Sequence, residues 1–170
     1  MKVAVAKYAV GKPTDFEAFA ARQRLVLEEA RRGGAELAVL PEYLSLELAA
    51  TFKPSIRRDF NASLAALQAL QPAWLALYAD LSRELCMTIQ AGTFLTQVGL
   101  DRYRNRAWWF APDGTRDYQD KLQLTGFEKD TGVIEGGDEL KVFDLNGVRA
   151  GIAVCYDSEF PLPVRAQREA

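Results

Sequence analysis

VAVAKYAVGKPTDFEAFAARQRLVLEEARRGGAELAVLPEY, residues 3–43, decides the fold class. Val3 to Val10 is rich in Val and Ala and reads as a strand. Thr14-Asp15-Phe16-Glu17 fits a capping box, with Thr14 as N-cap and Glu17 reaching back. Phe16, Phe19, Ala20, Leu27 and Ala30 then recur at helical spacing, and Gly33-Gly34 ends the helix. Leu37 to Leu40 is a short buried strand stopped by Pro41 and Glu42.

Outward from this βαβ opening the pattern continues. Leu44 to Phe60, interrupted by Pro54, predicts irregular structure or short helices. Asn61 onward turns helical through Leu64, Leu67 and Leu70, and Pro72 suits the first turn of a further helix carrying Trp74, Tyr78 and Leu81. Met87–Thr96 and Asn105–Ala111 read as strands, the second closed by the turn Pro112-Asp113-Gly114, with Tyr118–Lys121 as its returning partner. Leu140–Leu145 and Val148–Val154 flank Asn146-Gly147, which suits a type I′ hairpin turn. Alternating strands and helices followed by hairpins predict an α/β layered domain with a mixed sheet and helices on one face. Val148 to Val154 is apolar at nearly every position, which predicts burial on both faces.

Composition narrows the chemistry. The 170 residues, about one domain in length, carry 21 Lys plus Arg against 23 Asp plus Glu, a formal net charge of −2. No basic surplus points to nucleic acid or an anionic membrane. No apolar stretch is long enough to span a bilayer, and the N-terminal run lacks the features of a secretory signal. With two cysteines a disulfide framework is not expected, and a reducing cytoplasm is the default. There is no histidine, so Ser-His-Asp and Cys-His catalysis are excluded within this chain, and a zinc site is short of ligands. A proton carrier near neutral pH must be a carboxylate, a Lys or a Tyr.

Three segments place a polar side chain where a strand ends: Leu40-Pro41-Glu42-Tyr43, Tyr118-Gln119-Asp120-Lys121-Leu122 and Gly151-Ile152-Ala153-Val154-Cys155-Tyr156-Asp157. In α/β sheets catalytic groups gather at that edge. A free thiol titrates near ~8.5, so a nucleophilic Cys155 needs a base or cation beside it. Lys121 can supply the charge and Glu42 can take the proton. A free Glu near ~4.3 is a feeble base for a thiol; burial would raise it and the lysine would lower it. On an amide, the Cys155 thiolate would attack the carbonyl carbon while the Lys121 ammonium and the Tyr156 backbone N–H face the oxyanion. Taken singly, each residue has a plainer role: Cys155 a core hydrophobe, Glu42 a solvated loop charge, Lys121 an edge-strand lysine, Glu128 part of a solvated turn. Cys86 is expected in the core. Arg102, Arg104 and Arg106 alternate as on an exposed strand face, and Trp108 and Trp109 should point to opposite layers.

In this order and context the three segments, with Glu159-Phe160-Pro161 after the cysteine, resemble the nitrilase superfamily of carbon–nitrogen hydrolases along the whole chain. The resemblance implies a Glu42–Lys121–Cys155 triad, with Glu128 as a further glutamate that positions substrate and triad. It implies a four-layer α-β-β-α sandwich considerably longer than this chain, so that residues 1–170 form an incomplete, N-terminal part. Cys-Tyr-Asp resembles the amide-hydrolysing branches more than Cys-Trp-Glu nitrilases or carbamoylases with Asn after the cysteine. The resemblance thus implies a small linear amide substrate, a thioester intermediate, no cofactor or metal, and a homo-oligomer in the full-length form. An inactive interaction module of the same fold, nitrile or carbamoyl hydrolysis, and acyl transfer by the same triad remain open alternatives. Leu44–Phe60 and Thr125–Gly137 are expected at the entrance, by position.

Overall fold

The computed structural model describes residues 1–169; Ala170 lies outside the described residues. Its main sheet is mixed. Strands β1 (Val3–Val5), β2 (Leu37–Val39) and β3 (Thr88–Gly99) run parallel, and β4 (Arg102–Phe110) and β5 (Arg116–Asp120) follow antiparallel in the order β1-β2-β3-β4-β5. A short β6 (Ile134–Glu135) pairs with the start of β4, where β5 has left it. Strands β2, β3 and β5 therefore point the same way, and Glu42 and Lys121 emerge at the same sheet edge.

Helices α1 (Phe16–Arg32), α3 (Phe60–Leu67) and α4 (Gln71–Glu84) cover one face. Phe19, Gln23 and Leu27 of α1 lie at helical spacing and are buried together. Trp74 of α4 anchors an aromatic cluster, its ring 4.6 Å from Tyr78, 5.4 Å from Phe94 and 6.3 Å from Phe110. On the other face lies the hairpin β7 (Val142–Leu145) and β8 (Val148–Gly151), joined by Asn146 and Gly147 at φ 54° and 81°, as the type I′ turn requires. Trp109 stacks on Phe143 at 5.2 Å across the layers, while Trp108 joins the helix-side core, so the two tryptophans part as alternation predicts. A final helix, α6 (Pro161–Glu169), packs on β8. Between β2 and α3 the chain forms a 3₁₀ segment, Leu44–Thr51, and the short α2, Pro54–Arg57, as the mixed sequence there predicts. Among the described residues no helix is long and apolar enough to cross a membrane.

Several expectations change. The first strand is Val3–Val5, and Val5 and Val10 are exposed; Val3 and Val5 pair with Leu37 and Val39 and share the face of the hairpin layer, which does not reach over them. The N-cap of α1 is Asp15, not Thr14: the Asp15 carboxylate accepts the Ala18 N–H at 2.7 Å, and Thr14 donates its hydroxyl to Asp15. A carboxylate is the stronger acceptor at the positive end of a helix. Cys86 is exposed, at φ 45°, because it takes the left-handed position that ends α4. Val148–Val154 is not buried on both faces. Its ladder stops at Gly151, where Gln167 of α6 overlies the backbone and donates to the Ile152 carbonyl, and Val148 lies 48% exposed. Arg104 and Arg106 are not free surface charges. Arg106 makes a bidentate pair with Asp120 at 2.7 and 2.9 Å, and Arg104 reaches Glu135 and Asp138.

One backbone contact ties the fold to the sheet edge. Gly92, at φ 66°, lies in an irregularity of the β3–β4 ladder, and a Cβ there would sit 2.2 Å from the Pro41 carbonyl oxygen. Beside it the Tyr43 N–H donates to Thr93 Oγ1 at 2.7 Å. Gly92→Ala should therefore destabilise by at least about 1–3 kcal/mol through its backbone conformation, and it should displace Pro41 as well. Urea denaturation measures the loss, and an unchanged midpoint would show that the Pro41–Tyr43 turn is not held there.

Candidate active site

Glu42 leaves β2 on a turn whose next residue, Tyr43, is left-handed at φ 61°. Lys121 follows β5. Its own N–H donates to the Asn105 carbonyl at 2.9 Å and its carbonyl accepts from Gly137 at 2.8 Å, so the backbone is pinned from both sides. The second clamp needs glycine, since a Cβ on Gly137 would meet the Asp120 Cβ at 2.7 Å. The Lys121 side chain, 1% exposed, ends on two carboxylates. Nζ lies 2.7 Å from Glu42 Oε1, 2.9 Å from Glu128 Oε2 and 3.1 Å from Glu128 Oε1. Burial opposes its charge, yet the hydrogen bonds it donates to Glu42 and Glu128 hold its pKa above the ordinary lysine value.

Glu128 belongs to α5 (Gly126–Asp130) and is fully buried, not part of a solvated turn. The capping box sought near α1 occurs here, on Thr125-x-x-Glu128: the Thr125 hydroxyl accepts the Glu128 N–H at 3.3 Å, and the Glu128 carboxylate accepts the Thr125 N–H at 2.8 Å. Tyr43 donates its hydroxyl to Glu128 Oε1. Burial pushes the Glu128 carboxyl up, but Tyr43, the Thr125 amide and Lys121 together bring it below its usual value. The same desolvation, with the neighbouring Glu128, raises the Tyr43 phenol far above its ordinary range.

Asn105, at which the sequence pattern starts a strand, lies within β4. Its side-chain amide donates to Glu42 Oε1 at 2.8 Å and to Glu128 Oε1 at 3.3 Å, holding the two carboxylates apart. The signal available was a lone amide in strand register with Ala107 and Trp109.

Cys155 begins a 3₁₀ turn, Cys155–Glu159, with φ 49°, and its side chain is exposed rather than packed into a core. The thiol and Glu42 share a cavity of about 360 Å³, lined also by Thr93, Trp109, Ile152 and Val154. Partial burial and the Glu42 charge raise the thiol pKa, while the Lys121 charge pulls it down less strongly; the net shift is upward. The Tyr156 ring packs edge-on against Phe160 at 5.1 Å. The buried Asp157, quoted in the cysteine motif without a role, accepts backbone N–H groups from Leu122, Gln123 and Val154.

The structure thus brings Glu42, Lys121, Glu128 and Cys155 to one place. Neither segment expected at the entrance, Leu44–Phe60 nor Thr125–Gly137, lines the cavity that Cys155 and Glu42 share: the first borders a separate depression of about 630 Å³ against Glu42, and the second backs Lys121 through Glu128. A groove of about 590 Å³ between β1 and α1 contains neither cysteine. Among the described residues no group of three His, Cys, Asp or Glu side chains could hold a metal ion.

The chain resembles known proteins along nearly its whole length. A curated relative, "Probable hydrolase YhcX" of Bacillus subtilis (strain 168), is 28% identical over 162 residues, 95% of this chain and 31% of that protein. A carbon–nitrogen hydrolase from Helicobacter pylori G27 superposes with a TM-score of 0.75 at 17% identity, over 96% of this chain and 54% of the other. NitN amidase from a Nesterenkonia species gives 0.69 at 20% identity, over 96% and 60%, and the C. elegans NitFhit protein gives 0.73 at 20%, over 98% and 40%. At these identities the solved structures establish the fold alone. The chain spans about a third of the curated relative and about half of these structures, and its sheets share their α/β fold. The carbon–nitrogen hydrolase family profile matches residues 2–170, and the chain belongs to that family.

Proposed function

We propose that this chain carries the catalytic groups of a hydrolase that cleaves a small linear amide through a thioester on Cys155. The observation that carries this assignment is the buried Lys121 ammonium held by Glu42 and Glu128, with Cys155 lining the same cavity as that Glu42 carboxylate. Amidases among the structural relatives support the choice of substrate class.

The steps follow from the groups present. Glu42 takes the Cys155 proton as the sulfur forms a bond to the amide carbonyl carbon. The carbonyl π electrons move to oxygen, and that oxyanion faces the Lys121 ammonium and the Tyr156 N–H. When the tetrahedral adduct collapses, the C–N bond breaks and Glu42 returns the proton to the leaving amine. Water then gives a proton to Glu42 and attacks the thioester carbon; the C–S bond breaks, the acid departs, and the thiolate recovers its proton. Oxyanion donors of this kind contribute roughly 3–4 kcal/mol each. Glu128 and Asn105 do not react. They hold Lys121 and Glu42 in register.

Mixing the intact protein with an amide substrate should add one acyl group to Cys155, read by intact and peptide mass spectrometry. Cys155→Ala should remove the adduct, and acylation of Cys86 in its place would refute the assignment. Glu42→Gln should lower turnover by about 10²–10⁴-fold, the usual contribution of a positioned acid–base group.

The signs of the thiol shift can be read separately. Glu42 raises the Cys155 pKa and Lys121 lowers it. In Glu42→Gln the pH midpoint for iodoacetamide alkylation of Cys155 should therefore move down although turnover is lost, and in Lys121→Met it should move up. Lys121→Met also leaves two carboxylates without their cation, and loss of a buried ion-pair partner costs about 3–5 kcal/mol, measurable by urea denaturation. Midpoints that stay put in both variants would place the sulfur outside the field of the pair.

A further inference from the structure

Asp157 is a buried ionisable group for which the chemistry above has no use. It is 2% exposed and faces three backbone donors. Oδ1 accepts the N–H of Leu122 at 3.1 Å and of Gln123 at 2.7 Å; Oδ2 accepts the N–H of Val154 at 3.0 Å and lies 3.3 Å from that of Leu122. Leu122 and Gln123 directly follow Lys121, and Val154 directly precedes Cys155. One carboxylate thus bridges the two turns that carry the ammonium and the thiol.

No strand ladder does this work. Lys121 follows a strand of the main sheet and Cys155 follows the separate β7–β8 hairpin. The layers meet through Leu37, Trp109, Phe143 and Leu145, a non-directional apolar contact, and through β5, where Gln119 donates to the Glu139 carbonyl and accepts the Lys141 N–H and Asp117 pairs with Lys141; these bonds fix the entry to β7 and do not reach the Cys155 turn. Among the described residues the hydrogen bonds from the Cys155 turn to the main sheet all end on Asp157. Hydrogen bonds to a charged acceptor are short and strong, so this bridge is the directional element that joins the Cys155 turn itself to the residues following Lys121.

We infer that Asp157 is a positioning residue whose carboxylate sets the separation of the Lys121 ammonium and the Cys155 sulfur. The inference rests on the Glu42–Lys121–Cys155 assignment. Asparagine cannot replace the bridge: whichever way its amide turns, an NH₂ group meets either the Val154 N–H or the Leu122 and Gln123 pair. One of the two turns is then released. A misplacement of about 1 Å can cost about 10²-fold in rate.

The test compares the intact protein with Asp157→Asn, Asp157→Glu and Cys155→Ala. Urea denaturation gives the folded fraction, and peptide mass spectrometry gives iodoacetamide alkylation of Cys155 from pH 6 to 10, with the exposed Cys86 as internal reference. Acyl-adduct formation is followed on the same samples and corrected for the folded fraction. Folded Asp157→Asn should acylate about 10²-fold more slowly. Its Cys155 alkylation midpoint should move up as the Lys121 charge recedes, with Cys86 unchanged. Wild-type acylation and midpoint in a folded Asn variant would overturn the inference, as would a rate that falls only with the folded fraction. Should the Asn variant not fold, Asp157→Glu, which keeps the charge but lengthens the reach, is held to the same two readouts. Unfolding of both would assign Asp157 to stability and overturn the positioning role. An adduct that survives Cys155→Ala would instead sink the catalytic assignment, whatever Asp157 does.

Discussion

An ammonium ion 1% exposed to water is the constraint around which this molecule is organised. Removing such an ion from water costs several kcal/mol even after relaxation, and only well-placed counter-charges with satisfied hydrogen bonds offset it. Lys121 has two carboxylates, and each needs partners of its own. Asn105 serves both, Tyr43 and Thr125 serve Glu128, and the turn that presents Glu42 is fixed through Gly92 and Thr93. The network draws on β2, β3, β4, β5 and α5, so the sheet edge cannot be assembled piecemeal.

The parts of the fold governed by local rules are legible in the sequence. Asn146-Gly147 fixes its hairpin because two successive positive-φ residues suit few other structures. Pro72 starts α4, and Trp108 and Trp109 divide between layers by strand alternation. Family resemblance, carried by three short segments, named Glu42, Lys121, Glu128 and Cys155 together. What local rules miss depends on long-range partners. Arg104 and Arg106 look like a solvated stripe until Asp120, Glu135 and Asp138 are folded against them. Glu128 looks like part of a charged turn because its neighbours Lys129 and Asp130 are exposed. Thr125-x-x-Glu128 carried a capping signature as good as that of Thr14-x-x-Glu17; at the latter, Asp15 offered a stronger acceptor one residue later.

The hairpin layer shows a different limit. Apolarity along Val148–Val154 reports what the sequence can bury. How much is buried depends on what lies above it, and these residues stand partly open in a chain that spans about half of its structural relatives. The cysteine turn, at the end of this layer, is accordingly more exposed than the lysine beneath it. Half of the candidate site is built on the closed sheet and half on the open one.

On the proposed mechanism, charge balance lets a carboxylate serve where no imidazole is present. With the thiol protonated, Lys121, Glu42 and Glu128 sum to one negative charge. Ionising the thiol into solvent would make it two in a partly buried cluster, consistent with the upward shift of Cys155. Passing the proton to Glu42 leaves the total unchanged. Attack then carries the negative charge from sulfur to an oxygen facing Lys121, whose ammonium has just lost the full charge of one partner. A fixed cation between two carboxylates, only one of which can accept a proton from the thiol, thus favours the tetrahedral oxyanion over a free thiolate. The strength of the base matters less than the conservation of charge around the lysine.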